Sequence, residues 1–274
     1  MKVILSRKGF DSQYGGFPSP ILPDGRIISL PIPSENDCFH YQDLKLDNKT
    51  YFDLMKGLGI KEDILNTTCH VDPDICKGIL NRHKNWKHLF GQRGAAQGHL
   101  NKQNIQEGDI FLFFGTFQKT KEDGGKIKFD SNDQPKHIIF GYLQIGKIIK
   151  NKNEAEDWMK YHSHYGHRGD WNKNNTIYVA RESLSWNSKI PGAGVFRYDK
   201  DLLLSAEGHK KSIWNLPILK GKKISYHNEN SWKNGLFQSV GRGQELVVEE
   251  NQEVEKWAKE LIENNVIKEN VGRS

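Results

Sequence analysis

No stretch of this chain approaches the roughly 18 consecutive apolar residues that a membrane-crossing helix needs, and its first residues show neither the apolar core nor the small-residue cleavage site of a secretory leader. The expectation is a cytoplasmic protein with no membrane partner. Cysteine is scarce as well. Cys38, Cys69 and Cys76 are an odd number without C-x-x-C pairing, which excludes a disulfide scaffold and fits a reducing compartment. A zinc site from Cys69, His70 and Cys76 would have the spacing C-H-x5-C, which matches no common structural zinc pattern. The motifs of easily named enzymes are missing too: there is no Walker loop, G-x-S-x-G elbow or H-E-x-x-H, no dinucleotide fingerprint after the first strand, and no P-C-x-x-C of the zinc deaminases.

Aromatic residues, by contrast, are plentiful. Only 36% of the residues are hydrophobic, yet 11% are aromatic and 7 are Trp, so the core must lean on large rings in a sheet-rich protein with wet loops. A length of 274 residues suffices for one large domain without covalent staples, and 1–274 reads as a single domain. The formal charge of +6 is compatible with a polyanionic partner such as a nucleotide, DNA or RNA. Lysine is scattered, as at Lys84, Lys119, Lys147, Lys210 and Lys222, and forms no basic tail.

The order of elements follows from local patterns. Val3, Ile4 and Leu5 open a buried strand that runs into SRKGFDS (6–12), and Pro23-Asp24-Gly25 sets a hairpin turn between apolar runs. Phe52, Leu54, Met55 and Leu58 suggest a short helix, and HVDPDI (70–75) is a polar loop carrying His70, Asp72 and Asp74. GDIFLFFGTF and HIIFGYLQIGKII are nearly continuous apolar runs bounded by glycine, as buried strands should be, and a polar insert with Gly124-Gly125 joins them in a long hairpin. NTIYVA, GVFRY and LVVEE supply further strands. In EVEKWAKELIENNVIK, Val254, Trp257, Leu261 and Ile262 share one helical face. The expected fold is α+β, with a mostly antiparallel sheet, barrel-like closure as one option, and a C-terminal amphipathic helix.

Several of these stretches, taken in order, resemble one family: SRKGFDS with GG-x-PSPI and DG-x5-SLPIP, then H-x-DPD and GQ-x-GAAQGHL, then GDIFLFFG, HIIFGYLQIG, NTIYVA, PGAGVF, SYH and SVGRGQE. The resemblance is to the nucleotide modification associated domain 3 family of bacterial and phage proteins, and it spans Met1 to about Val248. It implies a role in nucleotide or DNA base hypermodification, with a nucleotide or DNA as partner and other proteins of a modification or defence system alongside. It carries no assigned catalytic residue. At 161–167 the chain departs from the family pattern, with YHSHYGH in place of a shorter His-Pro-His stretch.

Candidate site residues come from polar loops at strand ends, where a rigid scaffold presents side chains to a ligand. Arg7 and Lys8 suit phosphate, Gly9 allows close backbone approach, and Asp11 suits a base or a hydroxyl acceptor, with Ser12 beside it. The alternative is a solvated turn with an internal Arg7–Asp11 pair. In GQRGAAQGHL, small residues would let a flat ligand approach the backbone, and Gln97 and His99 could contact a base edge. In SVGRGQE, Arg242, Gln244 and Glu245 lead into a late strand. Arg7, Lys8, Asp11 and Glu245 are thus the candidate catalytic set; Ser12, Gln97, His99, Arg242 and Gln244 are the candidate substrate contacts.

Three alternatives stay open at this level. An early arginine with a late glutamate is also the pairing of NAD-consuming ADP-ribosyltransferases, with Arg7 and Glu245 in those parts. A non-catalytic reader would instead stack Trp and Phe on an exposed base. A purely structural partner is the third. His162, His164 and His167, near Arg168 and Asp170, could bind a transition metal or a phosphate if the loop folds back. No metal is assigned from the sequence, and the cofactor stays unknown.

Overall fold

The computed structural model describes residues 1–35, 37–165, 171, 174–239 and 245–267. Its main sheet is built on six strands: β1 (Val3–Arg7), β2 (Leu89–Arg93), β3 (Ile110–Asp123), β4 (Lys136–Ile149), β5 (Asn175–Ala180) and β6 (Glu245–Val248). Their spatial order is β6-β1-β3-β4-β5-β2. Every neighbouring pair on this path is antiparallel except β1 and β3, which run parallel with Val3 opposite Ile110 and Arg7 opposite Phe114. The mixed α and β composition and the mostly antiparallel sheet agree with the expectation.

β3 and β4 are the two long apolar runs, and they form the hairpin expected of them. The polar insert between them adds Lys126–Phe129, which folds back on β3 around Gly124-Gly125. The turn at Pro23-Asp24-Gly25 is also present: Leu22 N donates to Arg26 O, and Gly25 sits at φ 87°. α1 (Tyr51–Gly57) begins with a capping box of Thr50 and Asp53, and buries Leu54 and Met55. α2 (Gly94–Lys102) follows β2 directly. α3 (Gln252–Asn265) is capped by Asn251 and buries Val254, Ala258, Leu261 and Ile262; Trp257 is half-buried on the same core.

The barrel does not close. Among the described residues β6 and β2 are edge strands without backbone pairing to each other. The sheet nevertheless curls strongly, because rings from distant strands meet on one face. Phe90 of β2 touches Phe111 and Phe113 of β3, with ring centroids 4.8 and 5.2 Å apart, and stacks on Tyr178 of β5 at 5.7 Å. Phe111 and Phe113 share a face because they are two apart on one strand. Large rings can bridge a curl that aliphatic side chains would leave hollow.

Parallel strands need a crossover, and here the chain leaves β1 at residue 8, lays the short strand Ser19–Ile21 parallel to the far end of β3, and rejoins the main path of the sheet at β2. That excursion has a core of its own, including Phe10, Leu30, Tyr41, Tyr51, Met55 and Cys69. A third small cluster joins Leu89, Ile149, Trp158, Met159, Ile177 and Val179. The excursion begins in SRKGFDS, which explains why a charged, glycine-containing turn stands directly after the first buried strand. No helix among the described residues is long and apolar enough to cross a membrane.

Candidate functional site

The chain turns out of β1 at Gly9, which sits at φ +78°, where a Cβ would lie 2.7 Å from Ser29 Oγ. Glycine is required there on both counts. Asp11 Oδ1 then accepts hydrogen bonds from the backbone N–H groups of Gln13 at 2.8 Å and Tyr14 at 2.9 Å, which fixes the turn. Arg7 Nε lies 4.0 Å from Asp11 Oδ2, at the limit of an ion pair. The internal Arg–Asp pair is therefore present, but long. Ser12 is exposed on the same turn.

Lys8 points back over the sheet. Its Nζ lies 4.4 Å from the centroid of the Phe90 ring and 3.1 Å from Glu245 Oε1. Gln92 Nε2 donates to the same oxygen at 2.6 Å. The Glu245 side chain is 1% exposed, and its Oε2 is buried with no hydrogen-bond partner among the described residues. Burying a carboxylate is costly unless it is paired and hydrogen-bonded, and Lys8 with Gln92 does both at one oxygen. Residues 7 to 11 and Glu245 thus meet at one end of the curled sheet.

A polar pocket opens at this point. Arg7, Lys8, Asp11, Tyr14 and Gln92 line it, and so do His70, at the end of the short strand Thr68–His70, Asp72 just after it, and His164 from the segment after β4. Asp72 Oδ1 accepts the Gly91 N–H at 2.7 Å, and His162 Nε2 lies 3.4 Å from the same oxygen. Asp72 Oδ2 is 4.0 Å from His164 Nε2. The His164 Nδ1 is 3.0 Å from Asn175 Oδ1, while Asn175 Nδ2 donates to His164 O at 2.8 Å. His70 Nδ1 is 3.1 Å from Asp37 Oδ2. A roomier neighbouring cleft shares Asp72, but its lining is mostly apolar, with Ile27, Val71, Ile75, Phe140 and Phe196. Carboxylate, imidazole and cation converge in the polar pocket.

Burial sets the electrostatics of this cluster. It pushes the His164 imidazole down to about 3, so the ring is neutral near pH 7. Burial opposes ionisation of Asp72 and of Asp37, but their histidine contacts outweigh it and hold both carboxyls below the usual range. Two buried carboxylates and a neutral imidazole therefore stand together behind the cationic Arg7 and Lys8.

The other sequence candidates fall elsewhere. Gln97 is buried in α2, accepting from Tyr178 Oη at 3.1 Å and donating to Asn101 Oδ1 at 2.9 Å, so its amide is engaged within the fold. His99 stacks on the exposed Tyr226 ring, with centroids 4.1 Å apart, and its Nε2 is buried without a partner among the described residues. Burial holds the His99 imidazole below its usual range. Neither Gln97 nor His99 lines the pocket. Arg242 and Gln244 lie outside the described residues, as do His167, Arg168 and Asp170. Cys69, His70 and Cys76 do not form a donor group; His70 joins Asp72 and His164 instead.

Gly91 shows what the small residues of GQRGAAQGHL accommodate. A Cβ at this position would lie 2.3 Å from His164 ring carbons, so the flat group against the backbone is the protein's own imidazole. Gln92 and Asp72 are not among the sequence candidates, and His70 enters there only with Cys69 and Cys76. The only sequence signal for them was the density of polar residues in HVDPDI and the amide beside Gly91, and neither names a partner.

The family model for nucleotide modification associated domain 3 matches residues 2–249. The chain belongs to that family. The matched span holds all six strands of the main sheet and every residue lining the pocket, and it ends just before α3. Membership ties the chain to nucleotide or DNA modification. No curated protein and no solved structure matches it significantly.

Proposed function

We propose that the chain is an enzyme that modifies a nucleotide or a base of DNA in the pocket at the end of β1. Arg7 and Lys8 hold the anionic part of the substrate, and Asp11 orients a hydroxyl or removes a proton. The observation that carries this reading is the convergence of Arg7, Lys8, Asp11 and Gln92 with His70, Asp72 and His164 in one polar pocket of a family member. Glu245 serves this centre from behind, by holding the Lys8 ammonium and the Gln92 amide in place. Ser12, Arg242 and Gln244 are the contacts proposed for the rest of the substrate.

A reader of modified bases needs an aromatic cage. Among the described residues, Tyr14 is the sole phenyl or indole ring lining this pocket, while Phe90, Phe111, Phe113 and Tyr178 pack inside the sheet. Enzymatic use of the pocket is therefore the better supported reading. An ADP-ribosyltransferase role for Arg7 and Glu245 would need Glu245 to face a substrate, and its carboxylate is buried against Lys8 and Gln92.

The test is mass spectrometry of nucleosides and free nucleotides from cells expressing the wild type beside cells expressing Arg7→Gln or Asp11→Asn. A new mass that appears with the wild type and disappears with either variant is the expected result. Identical nucleoside profiles from folded wild type and empty cells, with DNA, RNA and nucleotide pools all surveyed, would sink the proposal.

A further inference from the structure

The histidines of the pocket carry an inference that goes beyond the proposed activity and does not depend on it. Hydrogen bonds fix which ring nitrogen of each histidine holds the proton. Asn175 gives its N–H group to the His164 carbonyl, so its Oδ1 faces the His164 ring and must accept from Nδ1–H. The neutral ring then presents a lone pair at Nε2, 4.0 Å from Asp72 Oδ2. His70 is held in the same sense: Asp37 can only accept, so Nδ1 carries a proton and Nε2 is the nitrogen left to meet a ligand.

Asp72 is oriented just as specifically. Its Oδ1 takes the Gly91 N–H, and His162 lies beside that oxygen. The backbone N–H of His164 reaches His162 Nδ1 at 3.3 Å, which places the His162 proton on Nε2, towards Asp72. Oδ2 is left over. The imidazoles of His70 and His164 and the carboxylate of Asp72 thus face one space, each offering a donor atom to an ion. Their ligand atoms all lie within 4.8 Å of one another. Acceptors gathered this way repel unless a cation stands between them.

We infer that His70, Asp72 and His164 form a binding site for one divalent transition-metal ion, with its remaining coordination positions opening on the pocket that Arg7 and Lys8 line. Two imidazoles and a carboxylate are donors for a first-row ion such as Fe, Co, Ni or Zn, and they leave positions open for water or substrate. Asp37, Asn175 and the Gly91 N–H supply the outer support that metal-binding histidines and carboxylates have in general. Donors about 2.0–2.2 Å from one tetrahedral ion lie roughly 3.3–3.6 Å apart, so the three side chains must draw together by up to about 1.5 Å on binding. The donors come from two segments far apart in the chain: His70 ends the short strand Thr68–His70, Asp72 follows it, and His164 stands after β4.

The test uses the full chain, stripped by a chelator, dialysed and titrated with Co(II). The expected result is one equivalent bound, with two exchangeable imidazole N–H signals shifted far outside the normal proton NMR range, one from each Nδ1–H. Asp72→Asn and His164→Gln should each weaken Co(II) by about a hundredfold or more, while His209→Ala, at an exposed histidine, should leave it unchanged. The spectrum of the wild type decides the matter even if a variant fails to fold. Absence of stoichiometric binding would overturn the site, as would a bound ion that shifts no imidazole N–H, or folded variants that bind as tightly as the wild type.

Discussion

Gln92 Nε2 donates to Glu245 Oε1 across 2.6 Å, and the two residues stand on β2 and β6, the opposite edges of one open sheet. A side-chain bond therefore joins what the backbone leaves unpaired, and Lys8 from the neighbouring β1 loop completes it. The polar pocket lies at this seam because the curl brings both edges to the end of β1.

Removing the carboxylate from the seam should be costly. Glu245→Ala leaves the Lys8 ammonium 9% exposed and without its partner, which should destabilise the fold by about 3–5 kcal/mol. The combined change Lys8→Met with Glu245→Gln removes both charges and should recover much of that loss. Urea unfolding of the single and combined variants measures it; additive losses would show that the pair is not coupled.

Gly91→Ala should act on the site through the His164 ring. The added methyl would start 2.3 Å from ring carbons, so the imidazole must move or the strand must shift, at about 1–3 kcal/mol. Thermal unfolding reports the stability, and Co(II) titration should show weaker binding. A variant with wild-type stability and affinity would mean that the ring has free space to move into.

Arg7→Gln should weaken a nucleoside monophosphate far more than the matching nucleoside. A charge-assisted hydrogen bond is worth about 1.5–3 kcal/mol, or roughly ten- to a hundredfold in affinity. Calorimetric titration of both ligands gives the comparison. Equal losses for the two would place the phosphate elsewhere.

Acid should destabilise the fold through His137. Burial, with Lys211 and Arg7 adding to it, pushes its imidazole down to about 3 from the ordinary 6.5, and Trp214 Nε1 donates to its Nδ1 at 3.0 Å. Between these values the unfolded chain binds a proton that the folded chain does not. Stability contributed by the neutral ring is therefore complete above about pH 6.5 and is lost as pH falls towards 3, with a slope of up to about 1.4 kcal/mol per pH unit. His137→Gln should flatten the dependence of unfolding free energy on pH in this window. Equal slopes in variant and wild type would remove His137 from the account.

Much of the scaffold was legible in the sequence because its signals are local. Fourteen-residue strands rich in Ile and Phe, the Pro23-Asp24-Gly25 turn and the amphipathic face around Val254 and Leu261 each depend on neighbours a few residues away. Arg7, Lys8 and Asp11 were readable as candidates for the same reason: a charged glycine turn directly follows a buried strand. Gln97 reads as a base-edge contact and turns out to be engaged with Tyr178 and Asn101, because whether an amide faces inward depends on partners the pattern does not contain.

The sequence by itself determined the elements, the reliance on aromatic packing and the family, since these follow from composition and from motifs in order. Only the tertiary structure decided that the sheet stays open yet curls, that Glu245 closes on Lys8 and Gln92, and that His164 meets His70 and Asp72. Their separations along the chain, 153 residues between Gln92 and Glu245, carry no periodicity that could announce a contact. The meeting is made by the packing of Phe90 against Phe111, Phe113 and Tyr178, which bends one edge of the sheet towards the other.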